Sequence, residues 1–233
     1  MSIPDKYEPE LIDARTKQGW LNWSLDFFCD PNILQVPYLD ITIQLDVTEA
    51  YAAYKANRVP GSTFFAFLIW HLAQTLVAHP SFNMRFIENQ WYLLKNPTIL
   101  IPVAVGGKER FCEVVLENVS KISYEEFVTQ YRTQVERARN GGGKRTDFQS
   151  FCLSHFLGNL PNLQFTGLTL HWVRDGMVGQ PFFYFGKRYE LRNSLFIPFA
   201  AKLHHGCADL FVLDLLLEDF QKRFVNIGGT GKG

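Results

Sequence analysis

The stretch that decides the fold reads AKLHHGCADLFVLDLLLEDF and covers residues 201–220. It places two adjacent histidines, His204 and His205, together with Asp209 at the edge of an apolar segment. One interpretation is a general base held in a tight turn. The other is a strand end whose histidines are polar groups of the core.

The sequence on either side of this stretch predicts a strand followed by a helix. Residues 194–205, SLFIPFAAKLHH, are mostly apolar and indicate a strand. Residues 211–224, FVLDLLLEDFQKRF, have apolar side chains at helical spacing with charges on the other face. They predict a closing helix directly after the histidine segment.

The rest of the chain alternates irregularly between strand and helix patterns. Strands are predicted over 39–47, 96–107 (buried on both faces), 163–173 and 179–191 (with a turn). A helix is predicted over 62–78, where Pro80 stops it, and another starts at a capping box of Ser123 and Glu126 and ends at the glycines after Asn140. This order predicts an α/β fold with a mixed β-sheet flanked by helices.

Composition limits the functional classes. With 233 residues, one large domain is expected, and 23 basic residues balance 23 acidic ones. A neutral chain lacks the charge that nucleic acid or an anionic membrane surface would attract, so these partners are not expected. Aromatic residues make up 15% of the chain, 21 of them Phe, which indicates a large aromatic core or a buried subunit interface.

Cysteine usage and hydropathy predict a cytoplasmic protein without a membrane span. The four cysteines show no CxxC spacing, and the N-terminal residues lack an apolar signal-peptide core. The longest apolar run, residues 62–80, is interrupted by His71 and Gln74 and is too short to cross a bilayer.

Several kinds of site are disfavoured by spacing. The glycine-rich segments NGGGKR (140–145) and GGTGKG (228–233) lack the GxxxxGK[ST] pattern of a phosphate loop. His204, His205, Cys207 and Asp209 cannot converge on one ion without a sharp turn, so no metal is expected. Cys207 remains a candidate nucleophile ahead of a helix, although such a cysteine is more often a packing residue.

A histidine acting as general base is the remaining chemistry. Imidazole titrates near neutral pH and can take the proton of a hydroxyl or amine as it attacks a carbonyl group. The ring must hold one tautomer, which requires a fixed partner for its other nitrogen. A tight turn with a carboxylate nearby supplies these parts.

HHGCADLF (204–211) resembles the HHxxxDG signature of the chloramphenicol acetyltransferase family, which dihydrolipoyl acyltransferases and peptide-synthetase condensation domains share in related forms. IQLDVTEAY (43–51) is similar to the family's early strand, and residues 64–86, with AHPSFNMR, are similar to its first long helix. Residues 181–221 follow the family from its GK turn to its last helix. The chain is therefore identified as a divergent member.

The resemblance implies an α/β subunit that forms a homotrimer, with active sites at the subunit interfaces. His205 would be the catalytic base, and His204 and Asp209 would brace the turn, the latter through an ion pair. Lys187 and Tyr189 fall where the family contacts coenzyme A. Acyl-CoA, or another acyl thioester, would be a co-substrate rather than a bound cofactor.

Three departures from the family pattern stand out. Leu210 replaces the glycine of the signature, so the turn is expected to differ. The stretch GNLPN puts Gly158 at the position of the oxyanion-stabilising serine and Asn162 at that of a tryptophan. The serine's hydrogen bond to the oxyanion would then come from the backbone N–H of Gly158 or Asn159, from Ser154, or from the Tyr184 hydroxyl.

The family arginine that pairs with the signature aspartate is also missing. Leu21 or Trp20 stands at its position, and Arg15 lies upstream as a candidate substitute. Residues 106–150, where the family builds much of its acceptor pocket, match poorly. Among the remaining histidines, His71 and His79 are expected to be core or capping groups, whereas His155 and His171 are weaker candidates for the cleft.

The resulting prediction is one acyltransferase-like domain over 1–225 with a flexible tail at 226–233. It would transfer an acyl group from acyl-CoA to a hydroxyl or amine of a small apolar acceptor. The alternatives are an enzyme of the same fold that uses a carrier-protein thioester, and a non-catalytic binding or assembly subunit.

Overall fold

The computed structural model describes residues 2–13, 19–143, 145–171 and 179–227. The helices are α1 (Leu21–Cys29), α2 (Thr48–Ala56), α3 (Phe64–Leu76), α4 (Tyr124–Arg137), α5 (Phe148–Leu153) and α6 (Leu210–Ile227). The strands are β1 (Pro9–Leu11), β2 (Tyr38–Asp46), β3 (Met84–Ile87), β4 (Gln90–Leu94), β5 (Ile99–Gly106), β6 (Arg110–Leu116), β7 (His155–Asn159), β8 (Phe182–Phe185), β9 (Tyr189–Leu191) and β10 (Ser194–His204).

The main sheet is mixed, which confirms the predicted fold class. Its strands lie in the order β2-β10-β8-β7-β5-β6, and β9 pairs with the start of β10. β7 runs parallel to both β5 and β8, whereas β10 is antiparallel to β2 and β8. The 11-residue strand β10 lies between β2 and β8 and leads directly into the histidine turn.

Helices cover one face of this sheet. Phe183, Phe199 and Leu203 point from β8 and β10 into a core that they share with α2, α3, α4 and α6. The helix α3 begins at the Thr63 cap and is apolar on nearly every side, so it lies buried in this core. His71 of α3 is a core residue, and burial lowers its pKa to about 3.

The helix α4 begins and ends as its sequence predicts. The Ser123 hydroxyl accepts from the Glu126 N–H, and the Glu126 carboxylate accepts from the Ser123 N–H, which completes the capping box. A π-helical turn over 138–142 follows α4. Gly141, with φ of 79°, ends the helical path there.

A smaller sheet was not predicted from the sequence. It has the order β1-β4-β3 and holds the N-terminal segment against the hairpin of β3 and β4. Arg85 of β3 is fully buried, and its guanidinium donates to five main-chain carbonyl groups, two nearby (Phe82 and Met84) and three distant in the chain (Cys152, Ser154 and Gly179). This side chain therefore joins the small sheet to the start of β7.

One prediction about local structure was wrong. Residues 163–171 form a loop rather than a strand, and residues 172–173 lie outside the described ranges. The Thr42 hydroxyl accepts from the Leu168 N–H, and the Gln44 amide donates to the Phe165 carbonyl, so β2 holds this loop by side chains. The helix α6 continues to Ile227, and residues 228–233 of the predicted tail lie outside the described ranges.

Across the described ranges, no helix combines the length and the apolar character that a bilayer crossing requires.

Candidate active site

The histidine segment forms a tight turn between β10 and α6. The His205 N–H donates to the Pro37 carbonyl at 2.8 Å, just before β2 begins. The Ser24 hydroxyl donates to the Gly206 carbonyl at 3.1 Å and so attaches α1 to the same turn. Three elements of the fold therefore hold the main chain around His205.

His204 supports the turn from inside. Its ring is buried, and Nδ1 accepts from the Gly206 N–H at 3.1 Å, which assigns the ring proton of the neutral imidazole to Nε2. A Cβ at Gly206 would lie 2.9 Å from His204 Cε1, so only glycine allows this close approach. The geometry supports the bracing role expected for His204.

His205 is held by aromatic rings rather than by a hydrogen bond to its side chain. Its imidazole stacks on Phe28 with ring centroids 3.9 Å apart, and Trp20 lies 6.0 Å away. Nδ1 of His205 is buried and has no hydrogen-bond partner within the described ranges. The expected acceptor for this nitrogen is thus not supplied by the described part of a single chain.

The aromatic support came from a segment that sequence reasoning undervalued. Trp20 and Phe28 belong to GWLNWSLDFF, the segment in which the family arginine is missing. The dense aromatic spacing on one short helix was the available signal. Because α1 lies more than 170 residues before the turn, its contact with His205 is a product of the tertiary fold.

Asp209 caps a helix in the described part of the chain. Its Oδ1 accepts from the Val212 N–H at 2.9 Å and caps the N-terminus of α6. Among the described residues, no cation forms a salt bridge with this carboxylate; Arg15 lies outside the described ranges. Leu210 is the first helical residue, so this position does not need the conformational freedom of glycine.

Cys207 and His155 are buried, which argues against a reactive role for either side chain. Cys207 is buried, and burial raises the pKa of its thiol to about 12, which argues against a nucleophile. His155 is buried, a ring nitrogen contacts the Phe82 carbonyl, and burial lowers its pKa well below the usual value. His171 is exposed in the loop, and His79 pairs with Asp219 at 3.0 Å.

Both predicted coenzyme-binding residues line one cleft of about 850 Å³. Lys187 and Tyr189 line this cleft together with Arg188, whose guanidinium lies 4.5 Å from the Tyr51 ring centroid. Asn159 also lines it, as do Arg139, Glu190, Thr63, Phe64, Phe65 and Tyr131. Three cations against one carboxylate give the cleft a positive charge that suits an anionic ligand.

A second cleft, of about 780 Å³, is formed by the segments that match the family poorly. Gly106 and Cys112 line it on one side, and Gly141 and Gly143 line it on the other. Arg139 lines this cleft as well as the first one.

Gly158 and Tyr184 are paired on the adjacent strands β7 and β8, and the Tyr184 ring packs over Gly158. A Cβ at Gly158 would overlap with Cδ1 and Cε1 of the Tyr184 ring, so the family serine has no room here. Burial raises the pKa of Tyr184 to about 12, which keeps its hydroxyl protonated and able to donate. Ser154 is fully buried and bonded to Thr98 and Ser150, which argues against a role in the cleft.

The site residues do not meet within one chain. Tyr184 pairs with Ala200, four residues before His204, and Tyr189 pairs with Phe196, eight residues before it. At about 3.3 Å per residue these positions lie roughly 13 and 26 Å from the end of β10. His205 and the cleft of Lys187 are therefore at opposite ends of the same strand.

The family model of chloramphenicol acetyltransferase matches residues 26–221. The chain belongs to this family. The match covers the histidine turn, both clefts and the whole main sheet, so the resemblance drawn from the sequence is confirmed. A search of curated proteins by sequence finds no match.

Solved structures show the same fold at low identity. A chloramphenicol acetyltransferase superposes with a TM-score of 0.73 at 20% identity, covering 92% of this chain and 98% of that one. The dihydrolipoamide acetyltransferase of Azotobacter vinelandii gives 0.64 at 18% identity, with 83% and 84% coverage. A truncated catalytic core of the 2-oxoacid dehydrogenase complex from Thermoplasma acidophilum gives 0.64 at 16% identity, with 88% and 94% coverage.

Proposed function

We propose that this protein transfers an acyl group from acyl-CoA to a hydroxyl or amine of a small apolar acceptor, with His205 as general base. The observation that carries the proposal is the fixed position of His205 on the turn, stacked on Phe28. The imidazole takes the acceptor proton as the acceptor attacks the thioester carbonyl. The tetrahedral intermediate then expels the thiolate, which receives that proton from the imidazolium.

The cleft of Lys187 supports coenzyme A as the donor. Coenzyme A carries phosphate groups, and Lys187, Arg188 and Arg139 supply cations around the cleft. The Tyr189 hydroxyl donates to Gln44 Oε1 at 2.9 Å, which fixes its ring at the cleft wall. These residues bind and orient the donor in the proposal.

A homotrimer completes the site in the proposal. Because His205 and the cleft lie at opposite ends of β10, His205 of one copy would face the cleft of the next. Exposed aromatic side chains near the turn, Trp23 at 48% and Phe27 at 43%, fit a surface that another copy covers. All four cysteines are free thiols, which fits the cytoplasmic location proposed for the protein.

An activity assay separates the proposed donor from the alternatives. The purified protein is incubated with acetyl-CoA and longer acyl-CoAs, with an acylated carrier protein, and with acylated dihydrolipoamide, together with a panel of hydroxyl and amine acceptors that includes chloramphenicol. We expect acceptor-dependent thiol release with acyl-CoA. Turnover only with the carrier protein would assign the protein to the condensing alternative. No turnover from a stably assembled protein would favour the non-catalytic one.

Tyr184 is the proposed oxyanion donor, next to the backbone N–H groups of Gly158 and Asn159. Tyr184→Phe removes only the hydroxyl, and kcat is expected to fall about 10²-fold, as for the loss of one such donor. The double variant Gly158→Ser/Tyr184→Thr makes room for the family serine and should recover part of the rate. Steady-state kinetics on both variants checks this. An unchanged kcat in Tyr184→Phe would assign the stabilisation to the backbone.

A further inference from the structure

Two cross-strand pairs lie side by side where β2 and β10 approach the histidine turn. Lys202 is opposite Asp40, and His204 is opposite Tyr38. The Lys202 ammonium contacts Asp40 Oδ2 at 2.9 Å, with side-chain exposures of 5% and 20%. A lysine this deeply buried needs its partner, because an unpaired ammonium away from water is costly.

The two pairs are also in contact with each other. Nζ of Lys202 lies 4.7 Å from the centroid of the Tyr38 ring, within the range of a cation–π interaction. The Tyr38 ring meets the edge of His204 at 5.4 Å. Ammonium, phenol ring and imidazole thus form one continuous group, which we call the strand-end block (Tyr38, Asp40, Lys202 and His204).

The turn that carries His205 is attached to this block on both strands. On β10, the His204 ring accepts from the Gly206 N–H, on the far side of His205. On the β2 side, the residue next to Tyr38, Pro37, accepts from the His205 N–H. A shift of one strand against the other would therefore move His205 directly.

We infer that Tyr38, Asp40 and Lys202 are positioning residues for His205. The strand-end block braces the turn from the sheet side, whereas Asp209 caps α6 on the helix side. The catalytic part of this inference rests on the proposed function. The geometric part concerns the position of the His205 ring on Phe28 and is independent of the proposed function.

Lys202→Met tests the inference through kinetics. It keeps the length of the side chain but removes the charge, so the strand ends are expected to loosen. We expect kcat to fall about tenfold to hundredfold, in line with the cost of a small misplacement of a catalytic group. The KM for acyl-CoA should stay unchanged, because Lys202 does not line the cleft of Lys187. Lys202→Arg keeps the charge and is expected to restore most of the rate.

An activity-independent measurement accompanies the kinetics. The ring protons of His205, assigned by NMR against His205→Ala, should carry ring-current shifts because the ring stacks on Phe28. In Lys202→Met these shifts are expected to shrink, whereas Lys121→Met, which removes the lysine paired with Glu8, should leave them unchanged. Tyr38→Leu is the second variant. It keeps the ion pair of Lys202 with Asp40, and it is also expected to shrink the His205 ring-current shifts.

The outcomes separate the two proposals. Wild-type kcat and unchanged His205 shifts in folded Lys202→Met and Tyr38→Leu would overturn the inference. If His205→Ala retains turnover, the proposed function fails, and the NMR shifts still decide whether the block positions the ring.

Discussion

Replacing His205 by alanine is expected to lower kcat by about 10²–10⁴-fold, the usual contribution of a positioned general base. The imidazole is the proposed proton acceptor, and the pKa of the nearby Cys207 thiol, raised to about 12, leaves that group unable to substitute. The fold should survive, because the main-chain bond from His205 to Pro37 and the buried His204 do not depend on this side chain. Steady-state kinetics with acyl-CoA and the accepted acceptor measures the effect.

His79→Ala is the matched control. It removes a histidine that pairs with Asp219 on α6, and should leave kcat within about twofold of wild type, because this pair does not contact the turn of His205. Circular dichroism and size-exclusion chromatography on both variants show whether fold and assembly are kept. A His205→Ala protein that is folded, assembled and nearly as active as wild type would refute the general-base role.

Arg85→Met is expected to cause the largest loss of stability, about 3–5 kcal/mol or failure to fold. The guanidinium donates to the carbonyl groups of Phe82, Met84, Cys152, Ser154 and Gly179, all at 2.8–3.2 Å. Methionine fills a similar volume but leaves these buried acceptors without a donor, and each loss carries a desolvation penalty of about 1–3 kcal/mol. Burial lowers the pKa of Arg85 only to about 10, so the charge persists at neutral pH.

Urea unfolding followed by tryptophan fluorescence measures this loss. Arg85→Lys should be intermediate, because an ammonium has three donors for five carbonyl groups. Arg132→Met on α4 is the exposed control, where the pair with Glu136 is worth only about 0.3–0.5 kcal/mol. A change below about 1 kcal/mol in Arg85→Met would mean that water or local rearrangement satisfies the carbonyl groups.

Elements with strong local signals were predictable from the sequence. The capping box predicts α4, and the apolar run between Thr63 and Pro80 predicts α3. The pattern on either side of the histidines predicts β10 and α6. The segment 163–173 shows the limit of such reasoning. Its alternation is typical of a strand, but side chains of β2 bond to its main chain in place of a strand ladder, which the local pattern does not reveal.

The sequence by itself determined the fold class and the family and singled out His205 as the candidate base, because the HHGCADLF pattern and its flanking strand and helix are contiguous in the chain. Tertiary structure alone decided how that histidine is held. Phe28 reaches it from α1, Tyr38 and Asp40 meet Lys202 and His204 across the sheet, and Asp209 caps α6. These contacts, other than that of Asp209, join residues more than 150 positions apart. They arise from strand register and helix packing, which no local pattern specifies.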